Sequence, residues 1–248
     1  MTREHPPHFF TDPSLIEESE LTIEGPDARH LTVVRRARPG DRMSVGDGAG
    51  SLFDVRITSV TIGRVTGEVL ARRWVEPPRP RLTVLQGLAR GAKVDLVVQK
   101  LVEIGAAEIV VFLAGRSVPR WDPAKAESAR HRWETIARDA AKQARRSRLA
   151  VVAGPVGLAD ACATVRGAGT ALVAHDRAHR RLRDALPADL PPGIAVVVGP
   201  EGGLEPEEAA AFEDAGAEPV SLGEAILRTE TAALVMASIV LYHFRLLG

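Results

Sequence analysis

Cysteine is nearly missing from this chain. Cys162 is the single one in 248 residues, so no intramolecular disulfide can form, and a reducing compartment fits. Net charge is also missing: 32 Lys and Arg offset 32 Asp and Glu, so the totals point neither to disorder nor to a highly charged nucleic-acid binder. Long hydrophobic runs are absent. Residues 1–10 carry histidines and prolines where a secretory leader would carry an apolar stretch. The most apolar segment, 232–241, is too short to span a bilayer and is followed by His243 and Arg245, so it is expected to be a core helix. A cytoplasmic protein without membrane contact is predicted. There is no internal repeat and no low-complexity tract.

Several chemical motifs are missing as well. No His/Cys cluster has zinc-ligand spacing, and a metal site is not expected. No serine sits in a Gly-x-Ser-x-Gly elbow. What is present is Val196-Val197-Val198-Gly199-Pro200-Glu201-Gly202-Gly203-Leu204, a β-branched run entering a glycine-rich turn. Behind the turn, Pro206 suits a first helical turn, and the neighbouring glutamates suit the positive end of a helix dipole. Glycines let backbone approach a ligand, and loops at the carboxyl ends of parallel strands are where open α/β sheets bind. The spacing is not Gly-x-Gly-x-x-Gly, Glu201 would repel a pyrophosphate, and no Gly-Lys-Ser/Thr follows, which leaves a cofactor without phosphate. A second strand and loop follow at Ser221-Leu222-Gly223-Glu224-Ala225-Ile226-Leu227-Arg228-Thr229-Glu230-Thr231-Ala232, with Thr229 or Thr231 as the helix cap. Two such loops would form two walls of one pocket.

Residues 1–74 read as short strands around 21–23, 42–45, 52–57 and 65–70, separated by turn signals and interrupted by a helix over 27–36. A small β-barrel is the natural closure. Residues 75–81, with three prolines in Pro77-Pro78-Arg79-Pro80, form a stiff linker. From 82 to 248 strands and helices alternate: strands at 82–88, 108–113, 149–152, 171–174, 196–198 and 219–222, and helices at 93–104, 122–146, 158–166, 179–186, 206–215 and 230–247. That order predicts an α/β fold, a mostly parallel sheet with helices on both faces.

The zero net charge hides segregation. Residues 130–148 and 177–183 are rich in arginine, and 201–224 is acidic. A basic face suits a polyanionic partner, although a solvated helix surface explains the same composition.

Gly199-Pro200-Glu201-Gly202-Gly203-Leu204, with Leu222-Gly223 and Ile226-Leu227-Arg228-Thr229-Glu230-Thr231-Ala232, closely resembles the RsmE family. These are 16S ribosomal RNA (uracil-N3)-methyltransferases of the knotted SPOUT class. Arg90-Gly91-Ala92-Lys93-Val94-Asp95, Gln99-Lys100, Glu103-Ile104-Gly105, Arg116-Ser117-Val118 and Ala140-Ala141-Lys142-Gln143 with Arg145 follow in family order. His30-Leu31, Val34-Arg35 and Gly40-Asp41 fit the family's PUA-like barrel.

The resemblance implies S-adenosylmethionine as cofactor, a deep trefoil knot, a homodimer, and a uridine of small-subunit ribosomal RNA, within the 30S particle, as substrate. It implies a cofactor pocket at Ala174, Gly199, Pro200, Glu201, Gly202, Gly203, Leu222, Gly223, Ile226, Leu227 and Thr231. RNA contacts would fall at Arg35, Arg36, Arg90, Lys93, Arg116, Lys142, Gln143, Arg145 and Arg146. Uracil N3 becomes nucleophilic only when its proton leaves. Arg228 is therefore expected to stabilise the uracil anion or hold the target phosphate, and Glu230 or Glu201 to take the proton. Simpler readings stand beside these: Glu230 as part of a helix cap, Arg228 as an ion-pair partner. Two departures stand out: Lys142, where many members are acidic, and Glu224-Ala225, where a proline or basic residue is common. Other outcomes are a knotted enzyme acting on another RNA or a ribose hydroxyl, and a non-catalytic ribosome-assembly protein.

Overall fold

The computed structural model describes residues 6–115 and 122–247. It divides into two compact units: Met1–Pro77 together with Ala141–Leu149, and Pro78–Ala140 together with Ala150–Gly248.

The first unit contains β1 (His8–Phe10), β2 (Glu20–Glu24), α1 (Gly25–Arg29), β3 (Arg42–Gly46), β4 (Ser51–Thr61) and β5 (Arg64–Trp74). The strands form one sheet in the order β1-β3-β4-β5-β2, antiparallel except for β1 beside β3. Alternation puts Val55, Ile57 and Val65 inside with Phe9, Leu21, Ile23, Met43 and Phe53. Register shifts at Asp54/Val55 and Ile57/Ser59 bend the β4–β5 ribbon. Thr11 donates to the Thr22 carbonyl at 2.5 Å and so brings the two edges of the curled sheet together. The helix expected over 27–36 is shorter and wider: after α1 the chain makes an i+5 turn, with Arg35 N donating to His30 O at 3.0 Å. Strand β1 was not expected from the sequence, because three residues are too few to show alternation.

The second unit contains β6 (Arg81–Gly87), α2 (Lys93–Ile104), β7 (Glu108–Phe112), α3 (Pro123–Gln143), β8 (Val151–Val156), α4 (Leu158–Gly167), β9 (Thr170–Ala174), α5 (Leu182–Ala185), β10 (Gly193–Val198), α6 (Pro206–Asp214), β11 (Ala217–Val220) and α7 (Thr229–His243). Six parallel strands lie in the order β11-β9-β10-β6-β7-β8. β10 is central and buried on both faces, hence its unbroken run of apolar residues. Ala195 and Val197 join Phe212, Ala161, Cys162 and Val165 of α4 and α6. The alternate residues serve the other face, where α7 packs on β6 and β10 and α2 packs on α7. α7 buries Ala232, Ala233, Met236, Ala237, Val240 and Leu241.

Several boundaries differ from expectation. α3 ends at Gln143, since Arg145 adopts a left-handed conformation (φ 54°). The 149–152 strand lies at Val151–Val156 instead. Gly154 and Pro155 look like breakers, yet β8 is an edge strand, where a missing amide donor is tolerated. The 179–186 helix is reduced to α5, and α7 stops at His243. Among the described residues no helix is long and apolar enough to cross a membrane.

Candidate functional site

The parallel sheet gathers the predicted loops. Val220 of β11 pairs with Ala174 of β9, and Val197 of β10 with Val173 of β9. The loops after β9, β10 and β11 therefore leave from one edge of three adjacent strands, which puts Ala174, Gly199–Gly203 and Leu222-Gly223 side by side. His175 N donates to Val220 O at 3.0 Å and holds the first loop to the third.

The β10 loop is shaped by close approach. At Gly87, the last residue of β6, a Cβ would lie 2.5 Å from the nitrogen of Pro200, a distance no side chain tolerates. The turn closes with Gly203 N donating to Pro200 O at 2.9 Å, and Gly203 takes φ +73°. Nothing lies within 4 Å of where a Cβ would stand on Gly203 or Gly223. α6 then starts with reciprocal bonds between Glu205 and Glu208, and Glu208 also accepts from Gly115 N at 2.6 Å. The glutamates of this segment thus cap a helix, as its composition suggested.

Glu201 and Glu230 have different surroundings. Glu201 accepts from Lys93 Nζ at 2.8 Å and from Arg90 N at 3.0 Å. Burial pushes its carboxyl up, but the Lys93 bond and the backbone amides outweigh it and hold it below the usual range. A carboxylate so well satisfied is a poor proton acceptor. Glu230, in the first turn of α7, has a side chain only 15% exposed and lies 3.8 Å from Lys93 Nζ. Its Oε2 is buried without a hydrogen-bond partner. The Lys93 ammonium is the counter-charge for that same oxygen, so Glu230 is balanced in charge while its Oε2 stays open to a donor. Arg228 is exposed at the N-cap of α7.

Thr229 and Gln86 were not anticipated as site residues. Neither Thr229 nor Arg228 supplies a side-chain cap to α7. Thr229 instead points into the sheet, where its hydroxyl donates to Gly199 O at 2.5 Å and accepts from Gln86 Nε2 at 2.8 Å. Gln86 is an interior polar residue in an apolar strand, and that was the one available sequence signal. Thr231, Ile226 and Gly223 are exposed, and Leu222 and Leu227 half-buried.

The expected RNA contacts divide. Arg35, Arg36, Arg90, Gln143 and Arg145 are exposed. Arg116 lies outside the described residues. Lys93 is bonded to Glu201. Lys142 and Arg146 are engaged within the first unit. Lys142 Nζ lies 2.7 Å from Asp27, with both side chains largely covered. Arg146 is half-buried, and burial lowers its pKa. Its carbonyl receives His8 Nε2 at 2.9 Å. Arg148 stacks 4.7 Å over Trp74 and donates to Val75 O. The charged run of residues 142–148 is thus spent largely on packing inside the first unit. Elsewhere Arg130 pairs with Glu127 and Glu134, Arg132 with Asp95, and Arg180 with Glu218. Cys162 is a core residue whose thiol burial pushes up, which makes it unreactive.

A parallel α/β sheet that collects three adjacent loops at its carboxyl edge, with two carboxylates and an arginine beside them, defines an enzyme domain with a ligand crevice, here joined to a small β-unit. An RNA methyltransferase domain matches residues 76–241, and an RNA methyltransferase PUA domain matches residues 23–70. The chain is 38% identical over 232 residues to the ribosomal RNA small subunit methyltransferase E of Mycobacterium bovis, covering 92% of this chain and 88% of the relative. Two solved structures are similar. A methyltransferase from Legionella pneumophila in complex with the cofactor SAM has a TM-score of 0.86 and 26% identity, covering 96% of this chain and 98% of that one. A ribosomal RNA small subunit methyltransferase E from Neisseria gonorrhoeae bound to S-adenosyl methionine has a TM-score of 0.84 and 28% identity, covering 96% and 98%. The chain belongs to the RsmE family of RNA methyltransferases.

Proposed function

We propose that this chain methylates N3 of a uridine in small-subunit ribosomal RNA, with S-adenosylmethionine as donor. The observation that carries this reading is the meeting of three loops at one sheet edge near a buried carboxylate oxygen, Glu230 Oε2, that accepts no hydrogen bond and faces the Lys93 ammonium at 3.8 Å. The site suits a cofactor without phosphate. Gly203 and Gly223 leave open space for it, and the carboxylates of Glu201 and Glu230 would repel a phosphate but suit a sulfonium or an ammonium. Backbone from Ala174, Gly199 to Gly203, Leu222-Gly223, Ile226, Leu227 and Thr231 would hold it. When bound, the cofactor supplies a methyl group already activated on a positive sulfur.

The remaining work belongs to the chain. Glu230 takes the proton from N3, so that the nitrogen lone pair forms the new bond to the methyl carbon while the carbon–sulfur pair returns to sulfur. The Arg228 guanidinium neutralises the charge that develops on the uracil oxygens. Glu201, engaged by Lys93 and the Arg90 amide, fixes the loop instead of moving a proton.

Residues 1–74 act as an RNA-binding barrel with Arg35 and Arg36, Gln143 and Arg145 contact RNA from the same compact unit, and Arg90 and Arg116 contact it as well. The substrate is RNA in the assembled 30S particle, the enzyme is a homodimer, and its compartment is the cytoplasm. A trefoil knot in the second unit is supported by the path of its end: β11 pairs with β9 beyond β10, and the chain then returns so that α7 packs on β10 and β6. Incubating purified protein and labelled S-adenosylmethionine with small subunits lacking the mark tests the reading. Label in 3-methyluridine supports it, and label in a ribose-methylated nucleoside or none at all refutes it.

A further inference from the structure

We propose that Thr229 is a positioning residue for the cofactor loop, acting with Gln86 to fix the peptide between Gly199 and Pro200. The proposal rests on the cofactor reading above.

That peptide has an unusual need. Pro200 carries no N–H, so the Gly199 carbonyl is its only hydrogen-bonding group. The bond from Thr229 Oγ1, at 2.5 Å, ties this carbonyl to the first residue of α7. Thr229 is 6% exposed, so water does not compete. The hydroxyl proton is spent on Gly199, which obliges Thr229 to accept from a donor, and Gln86 Nε2 supplies it at 2.8 Å. The second Nε2 proton goes to Gly87 O at 2.8 Å. Both groups facing Nε2 are acceptors, so the amide cannot be flipped, and Oε1 must face the other way. There it has no partner, although Gln86 is fully buried. An apolar residue would avoid that unpaired atom. Retaining Gln86 there makes sense if its donor is needed to hold the Thr229 hydroxyl on Gly199.

The anchor has a direct consequence for the loop. One side of the Gly199–Pro200 peptide is pinned by Thr229, and the other is pressed on Gly87, where there is no room for a Cβ. The turn from Pro200 to Gly203 is therefore held at its entrance, and its outer backbone keeps one orientation toward the crevice. Preorganised backbone binds more tightly because its ordering cost is already met. Thr229 thus sets cofactor affinity without touching the reacting atoms, and Glu230 beside it is held in register with the loop.

The test uses Thr229→Val, which keeps shape and loses the hydroxyl, and Thr229→Ser, which keeps the hydroxyl. The readouts are calorimetric affinity for S-adenosylmethionine, amide hydrogen exchange of residues 201–204 in the cofactor-free protein, and thermal unfolding. Thr229→Val is expected to weaken binding roughly tenfold and to speed loop exchange, with the KM for RNA unchanged, while Thr229→Ser stays within about twofold of the parent. Should Thr229→Val fail to fold, Gln86→Met, which removes the donor to Thr229 together with the bond to Gly87 O and leaves the Thr229 hydroxyl in place, is expected to show the same direction of change. Parent-like affinity and exchange in folded Thr229→Val would overturn the proposal and leave Thr229 a packing residue. If the parent protein itself does not bind S-adenosylmethionine, the cofactor reading fails, while faster loop exchange in Thr229→Val still reports the anchor.

Discussion

The ammonium of Lys93 lies 2.8 Å from Oε1 of Glu201, joining the first turn of α2 to the glycine loop after β10. This contact separates two carboxylates that look equivalent in sequence. Glu201 is committed to the loop by a hydrogen bond, and Glu230 stands 3.8 Å from the same ammonium with a buried oxygen that accepts no hydrogen bond. Glu230→Gln is expected to lower kcat at least a hundredfold while leaving cofactor affinity near the parent value. Glu201→Gln is expected to do the reverse, raising the KM for the cofactor with a smaller effect on kcat. Steady-state kinetics of both variants decide between them, and full activity in Glu230→Gln would remove it as the base.

Gly87 faces Pro200 across a gap that cannot hold a methyl group. Gly87→Ala must push the β10 loop outward or bend β6. It is expected to cost about 1–3 kcal/mol in denaturant unfolding and to weaken cofactor binding as well. Unchanged binding in a folded variant would show that the loop adapts.

Lys142 and Asp27 are paired at 2.7 Å with side chains 17% and 15% exposed. Lys142→Ala is therefore expected to destabilise the fold more than it weakens RNA binding. A double-mutant cycle with Asp27→Ala should give a coupling of about 0.5–3 kcal/mol in stability. A coupling near zero, with lost RNA affinity, would restore Lys142 to the RNA face.

His8 is buried against the Arg146 carbonyl and the Ser44 hydroxyl. The carbonyl can only accept, so Nε2 carries the proton and Nδ1 accepts from Ser44. Burial foremost, helped by Arg145 and Arg73 and opposed by the Arg146 bond, lowers its pKa from 6.5 to about 4. The unfolded chain therefore takes up a proton at higher pH than the folded one does. The contribution of neutral His8 is complete above pH 6.5 and is lost as pH falls toward about 4, by up to roughly 3 kcal/mol. Urea midpoints across this range should show the loss in the parent and a flatter profile in His8→Gln. Equal slopes would place the titration elsewhere.

Much of the second unit was legible because parallel strands buried on both faces announce themselves as apolar runs, as Val196 to Val198 do. The glycine loops were legible for the same local reason. What was hidden depends on partners far away in sequence. Lys142 looks like any surface lysine until Asp27, 115 residues distant, covers it. Thr229 and Thr231 are equal candidates for a helix cap, and only the packing of α7 on β6 turns Thr229 toward Gly199. β8 was misplaced because Gly154 and Pro155 break strands in general but not at an edge.

The most direct measurement is mass spectrometry of nucleosides from small-subunit ribosomal RNA, taken from cells with and without this protein. The account predicts that 3-methyluridine is lost without it and restored by purified protein with S-adenosylmethionine. A 3-methyluridine level that does not change, with no transfer to isolated subunits, would contradict the assignment and point to another RNA or to a binding role without catalysis.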